Sequence, residues 1–361
     1  MSNGGLGSCL TNVAIANAVL FNDELELLKL RFDALRDYVD VFVVAESPIS
    51  FAGNTKPLHF LENMAMFRPE DLARTQHYVY RLDHCTDRWE REREANKCVL
   101  ERCLELPNPT VTLLCDADEF PSPDQLEKAR RVTEPRSIPM TTYYRRINWE
   151  VAYSPHLPMG VAVPNFVEID QIPGNGMHQR SLTQLEGRLG THLSYLGFRA
   201  LDLETKYGSF SHSELDFPAA SSHALLALAD EYAVDHLGRP LWRGGGLLRF
   251  RPASSWDSTQ RLTAERLPWS VADGPPRGNR FSRLAAAVLI DKVVNRRSDY
   301  WYRRLPAVPL RLWVDLSTRD RLVLAATTIV AALRRPFYGK AAALRRRLVL
   351  ASRSRRLSPR P

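Results

Sequence analysis

Apolar positions in the first third of the chain follow two alternating periods. Val13 to Leu20 is a β-type run, and a helical pattern follows with Leu25, Leu28, Phe32 and Leu35 on one face. Asn22 or Asp23 can cap that helix, and its acidic first turn suits the helix dipole. Val39 to Ala45 predicts a second strand ending in Glu46-Ser47, and His77 to Leu82 a third. Arg88 to Leu106 reads as a charged helix, and Thr110 to Cys115 as a short, buried fourth strand closed by Pro121 and Pro123. Strands alternating with helices imply a doubly wound, mostly parallel α/β sheet covered on both faces.

The second half is less regular. Met140 to Val151 includes Tyr143-Tyr144-Arg145-Arg146-Ile147-Asn148-Trp149, whose alternating bulk and charge fit a strand. Such a strand can sit at the mouth of a site, stacking aromatic faces on sugar rings, or be an ordinary half-buried one. Residues 154–191 are rich in Pro and Gly and read as loops, and Ser221-Ser222 can cap a helix running to about Val234. No internal repeat is visible.

Composition adds a split in charge. Of 361 residues, 44% are hydrophobic and 25% charged, ordinary values for a globular protein. The net charge of +8 comes from the end of the chain: residues 334–361 hold ten Lys or Arg and no Asp or Glu, which leaves 39 basic against 41 acidic, a net −2, in residues 1–333. The nearly neutral body gives no footprint for nucleic acid. The five cysteines, Cys9, Cys85, Cys98, Cys103 and Cys115, have no Cys-x-x-Cys spacing and read as buried or free thiols of a reducing compartment. The N-terminus lacks a basic region followed by a long apolar segment, so a cytoplasmic location is expected.

Asp116-Ala117-Asp118-Glu119 carries the candidate chemistry. Two carboxylates two residues apart, at the C-terminal end of a strand, can hold Mg²⁺ or Mn²⁺ between the protein and a diphosphate. That end of a parallel sheet is where open α/β folds bind ligands. The motif alone is equally a solvated acidic turn. No Gly-x-Gly-x-x-Gly follows the first strand, and no Gly-Lys-Ser/Thr phosphate loop is present.

A series of short blocks occurs in order: Phe21-Asn22-Asp23-Glu24-Leu25-Glu26-Leu27-Leu28-Lys29-Leu30-Arg31, Phe42-Val43-Val44-Ala45-Glu46-Ser47, Gly53-Asn54-Thr55-Lys56-Pro57-Leu58-His59-Phe60, Trp89-Glu90-Arg91-Glu92, Asp116 to Pro121, His192-Leu193-Ser194-Tyr195-Leu196-Gly197 and Ser209-Phe210-Ser211-His212-Ser213-Glu214. Over roughly residues 13–235 this series resembles glycosyltransferase family 17, the β-1,4-mannosyl-glycoprotein 4-β-N-acetylglucosaminyltransferase family. Thr191, where the family pattern expects an aromatic residue, is a departure. The resemblance implies a GT-A-like domain over residues 1–305, with residues 306–361 as a helical, basic extension. It implies a metal-dependent, inverting transfer of GlcNAc from UDP-GlcNAc to a glycan or glycolipid hydroxyl, with Mn²⁺ or Mg²⁺.

The same resemblance assigns roles. Asp118 is a metal ligand, and Asp116 contacts the ribose or the metal through water. His192 or His212 adds a downstream ligand, although a lone histidine is more often structural. Asn22, Glu24 and Glu46 lie where GT-A folds receive the uridine, and Lys56 can meet a phosphate as a point charge. Arg91 can do likewise or form an ion pair within its helix. Glu214 and Asp216 are candidate bases for the acceptor hydroxyl, with Glu168 and Asp170 as alternatives.

Three rival readings are weighed against this one. A phosphohydrolase of the haloacid-dehalogenase type needs its Asp-x-Asp after the first strand with Thr or Val two positions on, where this chain has Phe120 after a fourth strand. A nucleotidyltransferase would release pyrophosphate, and a glycan-binding module with a decayed site would bind sugar without turnover.

Leu322 to Leu333 is apolar over twelve residues, too short for a transmembrane span. Leu344, Leu348 and Leu350 interleave with Arg345-Arg346-Arg347 in a pattern that fits a basic amphipathic helix on anionic lipid, or else a core helix followed by a basic tail. On the membrane reading, binding to anionic vesicles should fall steeply with salt, and deletion after Leu333 should abolish it. Co-sedimentation equal for neutral and anionic vesicles would reduce the tail to a solvated extension.

Overall fold

A computed structural model describes residues 13–294, apart from 108, 152–156, 166, 168–181, 197–199, 211–221 and 238–246. The elements run β1 (Ala14–Leu20), α1 (Leu25–Leu35), β2 (Val41–Glu46), α2 (His59–Glu62), α3 (Pro69–Leu72), β3 (Thr75–Val79), α4 (Arg88–Leu104), β4 (Thr110–Asp116), β5 (Glu119–Phe120) and α5 (Pro123–Ala129). They continue with β6 (Arg136–Tyr144), β7 (Trp149–Val151), β8 (Leu157–Pro164), β9 (Gly190–Ser194), α6 (Ala200–Ser209), α7 (His223–Tyr232), β10 (Leu248–Phe250), α8 (Ser258–Arg266) and α9 (Arg280–Val294). The proposed extension 306–361 lies outside the described residues.

The chain is α/β, and its ten-stranded sheet is mixed rather than mostly parallel. Strands β4, β1, β2 and β3 form the parallel half that the apolar runs predict. Beyond β4 the sheet reverses: β8 pairs antiparallel with β4, β6 with β8, β7 with β6 and β10 with β7. The cause is local. β6 and β7 are joined by a tight turn with no room for a crossover helix, so they pair antiparallel. Gly160 makes the β8 contact possible, because a Cβ there would run into the Cys115 sulfur and the Leu114 carbonyl.

The two faces of the parallel half follow from the two-residue period of β1. Ile15 and Val19 face α1, where Leu28, Phe32 and Leu35 are buried with Phe42, Phe60 and Phe67. Phe32 stacks on Phe42 with ring centroids 4.2 Å apart, and truncating such a ring to alanine costs about 3–5 kcal/mol. Ala16 and Ala18 face α4, whose Ala95, Val99, Leu100 and Cys103 close against them. Burial pushes the Cys103 and Cys115 thiols up to about 12. The four described cysteines are free, and Cys9 lies outside the described residues.

Some boundaries differ from the sequence expectation. Neither Asn22 nor Asp23 caps α1. Its cap is Glu24, which makes no side-chain capping bond, and the Asp23 carbonyl accepts the Leu25 N–H at 2.8 Å. The third strand ends at Val79, while the Tyr80 and Leu82 beyond it are buried in the α4-side core. The Pro- and Gly-rich region supplies β8 and β9, and the stretch after residue 246 supplies β10 and α8. Among the described residues, no helix is long and apolar enough to cross a membrane.

Candidate active site

β4 delivers Asp116 to the C-terminal edge of the parallel half, in register with Leu20 at the end of β1. The chain then turns at Ala117-Asp118 into the two-residue strand β5. The turn is held from beneath by a charged residue on the apolar stripe of α1. Arg31 is fully buried; its Nε donates to Asn17 Oδ1 at 2.7 Å, and its Nη1 donates to the carbonyls of Asp116 (2.9 Å) and Glu119. The buried Glu119 returns a side-chain bond, its Oε2 accepting the Asp116 N–H at 2.9 Å.

β5 pairs with β9, Glu119 opposite His192, and the Leu193 N–H donates to the Asp118 carbonyl at 2.8 Å. That register puts His192 Nε2 3.6 Å from Asp118 Oδ2. Lys206, on α6, comes in from the other side, its Nζ 3.8 Å from Glu24 Oε1. Its ammonium lies over the rings of Tyr195 (5.4 Å) and Phe210 (5.7 Å). These four charged side chains are 15–21% exposed, enough to meet a ligand and too little to be screened as surface groups are.

The charges lean on one another. Burial pushes the Asp118 carboxyl up, but the His192 imidazole and the Lys206 ammonium outweigh it and hold Asp118 at about 2. Burial works against the charged forms of His192 and Lys206 too. Asp118 still raises His192, and Glu24 and Asp118 raise Lys206. Glu24 goes up because its burial exceeds the pull of Lys206, with Asp23 and Asp118 adding to the rise. This edge of the sheet thus concentrates carboxylates around two side-chain cations.

Behind Tyr195 lies a buried polar cluster. The Tyr144 O–H donates to Asp235 Oδ1 at 2.7 Å, so the Tyr144 oxygen accepts from His236 Nδ1 at 2.8 Å. His236 Nε2 meets the Tyr207 hydroxyl at 2.7 Å, which anchors the residue next to Lys206. Tyr195 packs edge-on against His236 at 5.0 Å from a left-handed backbone, φ 54°.

Other predicted site residues fall elsewhere. Asn22 is partly buried and its carbonyl accepts the Lys56 ammonium at 2.9 Å; burial lowers Lys56. Glu46 is fully buried and turned inward: its oxygens accept from the N–H groups of Phe60 (3.1 Å) and Leu61 (3.1 Å) and meet His77 Nε2 at 2.8 Å. Arg91 donates to the carbonyls of Phe51 (3.1 Å) and Cys85 (2.9 Å), so it braces two loops. Tyr143, Tyr144 and Trp149 are buried, and Arg145 clasps Asp230 at 2.6 and 2.9 Å. The reading of that stretch as a sugar platform therefore gives way to a buried hairpin. His212, Glu214, Asp216, Glu168 and Asp170 lie outside the described residues.

Among the described residues, no three His, Cys, Asp or Glu side chains cluster as a complete metal cage. Asp118 and His192 provide two of the donors Mn²⁺ accepts, a carboxylate and an imidazole, and an ion shared with a diphosphate needs few from the protein. The Asp118 carboxylate and the His192 imidazole are the side chains at this edge that would hold such an ion.

The family model Glycosyltransferase family 17 matches residues 6–220, a span that holds β1 through α6 and with them Glu24, Asp116, Asp118, His192 and Lys206. The chain belongs to glycosyltransferase family 17. Its curated relatives include the β-1,4-mannosyl-glycoprotein 4-β-N-acetylglucosaminyltransferases of Rattus norvegicus and Homo sapiens, each 33% identical over 119 residues, and that of Mus musculus, 32% identical over the same length. Each alignment takes in 30% of this chain and 22% of the relative, so the match spans about a fifth of those proteins. Family membership agrees with the resemblance read from the ordered blocks.

The ion pair makes stability depend on pH in two windows. Asp118, moved from 3.8 to about 2, contributes about 2 kcal/mol that is present above about pH 4 and lost as pH falls through about 2. His192, raised from 6.5, contributes stability present below that value and lost as pH rises through its folded-state pKa. In metal-free protein, wild type should therefore lose stability relative to His192→Gln as pH climbs above 6.5. Urea denaturation giving parallel pH curves for the two would contradict the pairing.

Proposed function

We propose that this family 17 chain is a metal-dependent, inverting glycosyltransferase that takes GlcNAc from UDP-GlcNAc to a hydroxyl of a glycan or glycolipid. The observation that carries the reading is the Asp116–Asp118 turn at the end of β4, with His192 3.6 Å from Asp118 and Glu24 on the same edge. The relatives' names favour GlcNAc as the sugar moved.

In this reading Asp118 and His192 hold Mn²⁺ or Mg²⁺, with Asp116 toward the ribose or a metal-bound water. When bound, the ion acts as a Lewis acid that offsets charge on the departing diphosphate. Asn22, Glu24 and Lys56 form the nucleotide rim, and Glu46 keeps that rim in place from its buried position. His212 is the alternative second ligand. A carboxylate from Glu214 or Asp216, or else Glu168 or Asp170, takes the acceptor proton as the hydroxyl oxygen attacks the anomeric carbon from the face opposite UDP. The bond from that carbon to the diphosphate oxygen breaks, and UDP leaves. Residues 334–361 remain the segment proposed to meet anionic lipid.

Asp118→Asn should keep the fold, seen by far-UV circular dichroism, while lowering UDP affinity in Mn²⁺ at least about 100-fold, roughly 2.7 kcal/mol, and abolishing turnover. Calorimetry giving equal UDP affinity with Mn²⁺ and with excess chelator would overturn the metal-dependent reading. Release of pyrophosphate in place of UDP would favour a nucleotidyltransferase.

A further inference from the structure

Among the described residues, Lys206 is a cation at this edge to which the proposed reaction gives no task. Its place is built by several parts of the fold. α6 carries it, and the end of that helix is tied down by Arg88, whose Nη1 donates to the carbonyls of Tyr207 (3.3 Å) and Phe210 (2.8 Å). The 50–56 loop reaches the same end, with the Ala52 N–H donating to the Ser209 carbonyl at 3.1 Å and Asn54 Nδ2 to the Gly208 carbonyl at 3.4 Å. Tyr207 is anchored on the buried His236 at 2.7 Å. The aromatic rings of Tyr195 and Phe210 flank the lysine, at 5.4 and 5.7 Å from Nζ. A long, flexible side chain is thereby aimed at one place, 3.8 Å from Glu24 and within the field of Asp116 and Asp118.

The Lys206 ammonium faces the same carboxylates that a divalent cation would meet there. A diphosphate that arrives with a divalent ion brings its own cation for those carboxylates and an anion that the ammonium can meet. We propose that Lys206 is a built-in counter-cation: it offsets part of the charge of Glu24, Asp116 and Asp118 in the empty site and turns to the nucleoside diphosphate when the site fills. The inference rests on the nucleotide-sugar reading of the same site. It makes Lys206 an antagonist of the metal before the nucleotide binds and a partner of the nucleotide afterwards.

The two roles have opposite signs, which a purely structural lysine would not show. Calorimetry on Lys206→Met should give Mn²⁺ binding without nucleotide at least about fivefold tighter than wild type, from relief of a like charge. UDP binding at saturating Mn²⁺ should become about 10- to 100-fold weaker, the loss of one charge-assisted bond. Lys206→Arg, which keeps the charge, should restore much of the UDP affinity. Lys206→Gln replaces the methionine variant if that one does not fold. Mn²⁺ affinity unchanged or weakened, or UDP affinity unchanged, overturns the proposal, while loss of metal-dependent UDP binding in Asp118→Asn leaves the functional reading standing. Wild-type protein that takes up no UDP with Mn²⁺ overturns both.

Discussion

The buried guanidinium of Arg31 is the interaction on which the candidate site depends. A cation with no exposure to solvent is costly unless it is hydrogen-bonded, and here Nε is met by Asn17 Oδ1 on β1 and Nη1 by the carbonyls of Asp116 and Glu119. Those carbonyls bracket the turn that carries Asp118. One side chain on α1 thus ties the first strand, the first helix and the acidic turn into one unit. Glu119 closes the turn from the other end by accepting the Asp116 N–H, and its pairing with His192 brings β9 alongside. Removing the guanidinium would free two carbonyls under the turn and disturb the Asp118–His192 geometry without touching either residue.

Above this foundation the site is an exercise in charge compensation. Carboxylates from β1–α1 and from the β4–β5 turn face an imidazole from β9 and an ammonium from α6. Four separate segments meet at one edge, so each is placed by the packing of its own element and not by a common loop. The Tyr144–His236–Tyr207 cluster behind Tyr195 holds α6 at this edge, and its buried hydrogen bonds resist displacement in a way that a solvated surface contact would not.

The parallel half of the sheet was legible in the sequence because strands buried on both faces read as continuous apolar runs, as β1, β2 and β4 do. The antiparallel half was not. β8 contains Pro158 and Gly160, which read as loop residues, yet Gly160 is what lets β8 lie against Cys115. The aromatic stretch at Tyr143–Trp149 carried the right β signal, but alternation could not say that both of its faces are covered. At the site, Asp116 and Asp118 were visible as a strand-end pair. Arg31 could have been found as a charged residue on the apolar stripe between Leu28 and Leu35. Lys206 gives no local signal, since its role comes from a helix packed far along the chain from the residues it faces. Glu46 looked like a strand-end ligand, and only the fold shows its oxygens turned toward the α2 backbone and His77.

The central claim is that the β4–β5 turn and β9 bring a divalent cation and a diphosphate together. Pulsed electron paramagnetic resonance on Mn²⁺ bound to the protein with UDP tests it most directly. The account predicts a ³¹P coupling from the diphosphate together with a ¹⁴N coupling from an imidazole that disappears in His192→Gln. Mn²⁺ that stays fully hydrated, with neither phosphorus nor nitrogen coupling in the presence of protein and UDP, would contradict it.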